Sequence, residues 1–128
     1  MMNVYLTAFP MLYEGEDIEV RYCLFQDDVP VKKDAVYMEY MKPAVVGLSS
    51  VLTLLKELEN YKDEEITVFI NDESLYELLK GSSTTKNGDV LKAAGKTKKQ
   101  LVKFAKLSFV NVTKDKNALA SWKEILEE

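Results

Sequence analysis

The sequence predicts a single domain of mixed α/β class over residues 1–128, and three observations carry this prediction. The chain has 128 residues, of which 47% are hydrophobic and 30% charged, as is usual for a globular domain. That length suits one hydrophobic core. The predicted element order is strand-strand-strand-helix-strand-helix-helix-helix-strand-helix.

The first three strands are predicted to form an antiparallel meander. Residues 3–13 are rich in β-prone side chains, and residues 14–16 (Glu-Gly-Glu) are typical of a hairpin turn. Apolar and polar residues then alternate over 18–25, which indicates a second strand. Residues 26–30 form a second predicted turn, and 31–41 a third strand. Short turns between consecutive strands favour antiparallel neighbours.

The first helix and the strand after it follow from apolar spacing. Pro43 suits the first position of a helix, and leucines and valines recur at spacings of three and four up to residue 60. Residues 65–70 form a short apolar run, which is typical of a buried strand. Asp72 is a good N-cap for a second helix over 73–80.

The last third of the chain is predicted to contain a loop, two helical pieces, a strand and a final helix. Residues 81–88 are rich in glycine, serine and threonine and form the loop. Helical pieces at 89–94 and 97–106 are expected to break at Gly95, which we interpret as a C-cap. A strand over 107–112 and a helix over 118–126 close the chain.

Composition excludes several kinds of chemistry. The chain contains no histidine, so histidine-based triads, histidine acid–base catalysis and histidine metal sites are ruled out. Cys23 is the single cysteine, which excludes an intrachain disulfide, and we expect it to be buried and inert. No apolar run reaches about 18 residues, the length that spans a bilayer. We expect a cytoplasmic protein with no cofactor.

Charge is distributed unevenly along the chain. Ten lysines and two aspartates lie between Lys80 and Lys116, a net charge of +8, whereas seven basic and nineteen acidic residues elsewhere give −12. A lysine-dense surface on an acidic protein is one signature of a partner that carries phosphates. The alternative is a solvated helix face without a partner. The candidate binding residues are Lys86, Lys92, Lys96, Lys98, Lys99 and Lys103.

The element order and several local motifs resemble the ribonuclease H-like fold over nearly the whole chain. The segment 68–76, Val-Phe-Ile-Asn-Asp-Glu-Ser-Leu-Tyr, is similar to the family's buried strand that ends in an aspartate before a helix. Gly47 and Leu52 fit small and large apolar positions of the family's first helix. Residues 117–121, Asn-Ala-Leu-Ala-Ser, are similar to the family's Asn-x-x-Ala-Asp. The resemblance implies a five-stranded mixed sheet with helices on both faces.

The same resemblance implies a site of three or four carboxylates that hold two magnesium ions. The family positions for these carboxylates fall on Thr7, Ala44, Asp72 and Ser121, so only one of the four is acidic. No aspartate or glutamate occurs between residues 1 and 13, so the first strand supplies no ligand in any register. The lysine-rich segment coincides with the region where some family members carry a basic handle that grips nucleic acid.

Three functions follow from these observations. The first is a non-catalytic binding module, whose partner is nucleic acid held by the lysine-rich segment or else another protein. The second is a divergent metal-dependent nuclease that uses Asp72, Glu73 and Glu39, with magnesium as its cofactor. The third is a structural subunit that oligomerises through an edge strand or an aromatic sheet face.

Overall fold

The structure is a computed structural model, and it describes residues 1–9, 17–39, 43–81 and 85–127. Five strands form one mixed sheet: β1 (Met2–Phe9), β2 (Ile18–Gln26), β3 (Val29–Met38), β4 (Glu65–Ile70) and β5 (Lys106–Asn111). Their order across the sheet is β3-β2-β1-β4-β5. The pairs β1–β2 and β2–β3 are antiparallel, whereas β1–β4 and β4–β5 are parallel. This is the meander and mixed sheet that the sequence predicts.

Four α-helices complete the described fold: α1 (Pro43–Glu57), α2 (Glu73–Lys80), α3 (Gly88–Leu101) and α4 (Lys116–Glu127). A 3-10 turn, Glu59–Tyr61, follows α1, so the helix predicted over 43–60 ends slightly early. The limits of β4 and α2 agree with the prediction. No helix in the described part of the chain is long and apolar enough to cross a bilayer.

The two faces of the sheet carry separate apolar clusters. Val4 and Leu6 of β1 belong to the larger cluster, which includes buried residues of α1 and of α3. The smaller cluster lies on the opposite face, where Trp122 and Leu126 of α4 pack near Cys23 of β2. Side chains of a strand point alternately to either face, and this alternation separates the clusters. Helices therefore cover both faces, with α1 and α3 on one and α4 on the other.

The β2–β3 turn is tighter than the predicted five-residue turn. Asp27 and Asp28 have φ values of 49° and 68°, so both adopt the left-handed conformation of a two-residue hairpin turn. Pro30 lies inside β3, next to a register shift that follows Leu24. The predicted turn at 14–16 and the residues 10–13 and 40–41 of the predicted strands lie outside the described residues.

β3 forms one edge of the sheet, and several of its residues discourage pairing with another strand. Pro30 has no backbone N–H, and the irregularity in the β2–β3 pairing bends the strand locally. Lys32 and Lys33 are exposed charges at its centre. Proteins commonly protect edge strands in these ways. This edge therefore gives no support to oligomerisation through β3.

The prediction that a helix breaks at Gly95 is wrong. α3 is continuous from Gly88 to Leu101, with Asn87 as its N-cap. Val90 and Thr97 are buried on its inner face, and Ala93 and Ala94 pack against the main core. Packing along this face outweighs the cost of about 1 kcal/mol that a glycine imposes on a helix interior.

Substituting alanine for Gly95 is expected to raise the free energy of unfolding by about 0.5–1 kcal/mol, because alanine loses less conformational entropy in a helix. A Cβ atom at this position meets no atom within 4 Å. Gly47 of α1 is the matched contrast, because its Cβ would lie 3.2 Å from Cδ1 of Leu75 in α2. Urea unfolding should therefore show Gly95→Ala more stable than Gly47→Ala. An equal gain for both variants would contradict the close α1–α2 contact.

Candidate functional site

Two of the three acidic residues that the sequence singles out, Asp72 and Glu73, lie just after the carboxyl end of β4. Asp72 follows β4, and its Oδ1 accepts a hydrogen bond of 3.0 Å from the backbone N–H of Leu75. This is the predicted N-cap of α2. Glu73 accepts a hydrogen bond of 2.7 Å from the side-chain amide of Asn111, the last residue of β5. Both carboxylates thus have partners within the protein.

Thr7 occupies the first of the carboxylate positions that the resemblance assigns. It lies opposite Arg21 in the β1–β2 ladder, so both side chains project from the same face. Arg21 donates a bond of 2.7 Å to the carbonyl oxygen of Leu126 at the end of α4. It also forms an ion pair of 2.6 Å with Glu19. The residue opposite Thr7 is therefore an arginine, and its guanidinium is paired with the carboxylate of Glu19. The sequence alone does not single out Arg21, because strand pairing sets its position opposite Thr7.

The other positions do not complete a metal site. Ala44 lies in the first turn of α1, and Ser121 is an exposed residue of α4. Glu39 follows β3, which is three strands away from β4, a separation of about 14 Å. The structure therefore does not bring Glu39 to Asp72 and Glu73.

The donor set does not fit a pair of magnesium ions. Among the described residues, no group of three or more acidic or cysteine side chains is placed to hold a metal ion. Magnesium prefers oxygen ligands in octahedral geometry and usually binds carboxylates together with substrate phosphates. At the four family positions only Asp72 offers a carboxylate, and its Oδ1 already caps α2.

The structure divides the six candidate lysines into groups. Consecutive residues of a helix are rotated by about 100°, so Lys92, Lys96 and Lys99 fall within about 60° of one another on α3. Lys103 lies two residues after the helix, in a turn where its backbone N–H donates to the carbonyl oxygen of Gln100. These four residues are the lysine stripe, and its three members on α3 extend over about 10 Å. Lys98 points roughly 120° away from the stripe, and Lys86 precedes the helix.

The lysine stripe faces away from the core. The inner face of α3 consists of Val90, Thr97 and the residues near them, and all four stripe lysines are exposed. Within the described ranges, none of the four forms an ion pair of 4 Å or less with a carboxylate. Lys103 lies near Glu59, whose pKa is lowered mainly by a hydrogen bond from Lys62 and to a smaller extent by Lys103.

A groove between α1 and α3 adjoins the first two residues of the lysine stripe, Lys92 and Lys96. Its volume is about 300 Å³, and its lining is mostly apolar. Val45, Leu52 and Ala93 form the apolar part, while Lys92 and Lys96 line its α3 side. The sequence could not reveal this groove, because it depends on how two helices distant in sequence pack together.

Cys23 is buried, as predicted, with 4% of its surface exposed. Burial raises the pKa of its thiol, and nearby Lys33 opposes this only in part. A raised pKa reduces the thiolate fraction at neutral pH, and the thiolate is the nucleophilic form. The residue thus has the environment of a core thiol.

Comparison by sequence identifies no relative of the chain, but its structure is similar to several solved structures. No protein-family model and no curated protein sequence matches the chain. Among solved structures, RNase H1 from the archaeon Halobacterium salinarum is similar with a TM-score of 0.77 and 14% identity, covering 91% of this chain and 88% of the other.

Two further solved structures are similar over almost the whole chain. LC11-RNase H1 in complex with an RNA/DNA hybrid has a TM-score of 0.76 and 16% identity, over 99% of this chain and 94% of the other. The N-terminal RNase H domain of rv2228c from Mycobacterium tuberculosis has a TM-score of 0.74 and 12% identity, over 98% and 94%. Identities this low establish architecture alone. The chain has the ribonuclease H-like fold.

Proposed function

We propose that this chain is a non-catalytic nucleic-acid-binding module of ribonuclease H-like fold, and that the lysine stripe on α3 is its contact surface. The observation that carries the proposal is the alignment of Lys92, Lys96 and Lys99 on one exposed side of α3, with exposed Lys103 just beyond the end of the helix. A row of cations matches the repeated charge of a phosphate backbone. One similar structure is an RNase H1 that holds an RNA/DNA hybrid, which supports nucleic acid as the class of partner.

The charge distribution favours local binding of a polyanion at the lysine stripe over weak attraction across the whole protein surface. The protein as a whole carries a net charge of −4, so its acidic remainder repels phosphates. Attraction is then confined to the surface that the stripe dominates. Lysine supplies point charges without the bidentate geometry of arginine, so we expect contacts with phosphates and little reading of base edges.

The non-catalytic part of the proposal rests on the donor set. Thr7, Ala44 and Ser121 supply no carboxylate, and Glu39 follows the far edge strand. Arg21 lies opposite Thr7 in the ladder and is paired with Glu19, so that nearby carboxylate is already engaged. Hydrolysis by two metal ions requires both ions to be clamped at the scissile phosphate, and these residues do not supply such a clamp.

Binding is expected to weaken steeply with salt, because each lysine–phosphate contact releases a condensed counterion. Three to four contacts predict a slope of about −2 to −4 in a plot of log K against log salt concentration. Fluorescence anisotropy with labelled oligonucleotides at several salt concentrations measures this slope. No binding at low salt would refute the proposal. Manganese-dependent cleavage of the same oligonucleotides, abolished by Asp72→Asn, would refute its non-catalytic part.

A further inference from the structure

We infer that the groove between α1 and α3 receives an unpaired base of a single-stranded nucleic acid whose phosphates contact Lys92 and Lys96. This inference rests on the proposed function and narrows its partner to single strands. It joins two neighbouring features of one surface, an apolar groove and the start of the lysine stripe.

The size and lining of the groove suit a base. Its volume of about 300 Å³ lies at the lower end of the range for small-ligand sites. Val45 and Leu52 of α1 and Ala93 of α3 are half-buried and form its apolar surface. The face of a base is apolar, and so is the exposed surface of the groove. Contact between them removes both surfaces from water, which is favourable.

Polar groups lie where the edges of a base would need them. Ser49 of α1 and Asp89 in the first turn of α3 both line the groove. A hydroxyl donates and accepts hydrogen bonds, and a carboxylate accepts from the exocyclic amino groups of cytosine or adenine. An acidic peptide is the competing occupant that the lysines would attract.

The arrangement of charge places the backbone beside the groove. Lys92 and Lys96 border it, and Lys99 and Lys103 follow in the stripe. A strand that follows the stripe places its phosphates against the lysines while one base turns into the groove. Bases in a duplex are paired and stacked, and extruding one costs a few kcal/mol. The protein should therefore prefer single strands.

Three probes test this with the wild-type protein, each about twelve nucleotides long so that it covers one site. They are a single strand, the matched duplex, and a single strand of abasic sugar-phosphates, which keeps the charges and lacks the bases. We expect the single strand to bind roughly tenfold more tightly than the abasic strand, because burial of one base face changes the affinity by about a factor of ten. Equal binding of these two would overturn the inference and leave phosphate binding intact.

A pair of serine variants locates the effect on the protein. Ser49→Leu fills the groove, while Ser121→Leu makes the same chemical change on exposed α4, across the sheet. Ser49→Leu should remove the roughly tenfold advantage of bases over abasic sugars, and Ser121→Leu should preserve it. Circular dichroism checks that both variants fold, and the abasic comparison stands even if one does not. Tighter binding of an alternating Glu-Leu peptide than of the single strand would assign the groove to a protein partner and overturn the inference.

Discussion

Replacing Lys92, Lys96, Lys99 and Lys103 together by glutamine is expected to reduce affinity for a single strand by about 10³-fold or more at low salt, with most of the salt dependence lost. The reason is that four phosphate contacts, each contributing about 0.7 to the salt exponent, disappear while the helix-forming character of the residues is kept. Anisotropy titrations at about 50 mM salt measure the loss.

A matched variant separates local contacts from net charge. Glutamine at four exposed lysines elsewhere lowers the net charge equally, and suitable positions are Lys33, Lys114, Lys116 and Lys123. We expect this control to retain most of the affinity, because its charges lie outside the stripe. Equal losses in both variants would mean that binding follows overall charge, which contradicts the assignment to α3. A single substitution, Lys98→Gln, adds a control on α3 itself.

Truncating Trp122 to alanine is expected to lower the free energy of unfolding by about 3–5 kcal/mol, the usual range for a buried aromatic residue. Trp122 is 7% exposed and packs in the smaller cluster with Val112 and Leu126. Its Nε1 donates a bond of 3.2 Å to the carbonyl oxygen of Leu6, so the variant also leaves that buried acceptor without its partner. Urea unfolding followed by circular dichroism measures the change.

Trp122→Phe provides the comparison, since it keeps an aromatic ring and loses the hydrogen bond. We expect its cost to be clearly smaller, about 1–3 kcal/mol. A loss below about 1 kcal/mol for Trp122→Ala would show that α4 contributes little to stability. At temperatures where the alanine variant remains folded, its affinity for oligonucleotides should equal that of the wild type, because α3 lies on the other face of the sheet.

Features that depend on near neighbours in sequence were predictable. Asp72 caps α2 because an acceptor side chain precedes three free N–H groups, and this signal is contained in a few residues. The alternation over 18–25 defines β2 in the same way. The missing carboxylates at Thr7 and Ser121 follow from residue identity once the resemblance is drawn, and the comparison of structures then confirmed the fold itself.

Gly95 shows where local reasoning fails. A glycine followed by polar residues predicts a helix end, because it lowers helix propensity and suits a left-handed cap. The helix continues because residues on either side of it, among them Val90 and Thr97, pack on the core. Gly81 does adopt the left-handed conformation, with φ of 78°, after α2. Tertiary packing, which the local pattern does not contain, decided between the two glycines.

The sequence by itself determined the order of the strands, the order of the helices apart from the break at Gly95, the absence of histidine chemistry and the concentration of lysines in one segment. Only the tertiary structure decided that Arg21 pairs opposite Thr7, that Glu39 is separated from Asp72, and that a groove adjoins the lysine stripe. The physical reason is the separation along the chain over which each kind of interaction acts. Propensity, capping and charge density act within one or two turns of chain, whereas strand pairing and helix packing join residues that only the completed fold brings together.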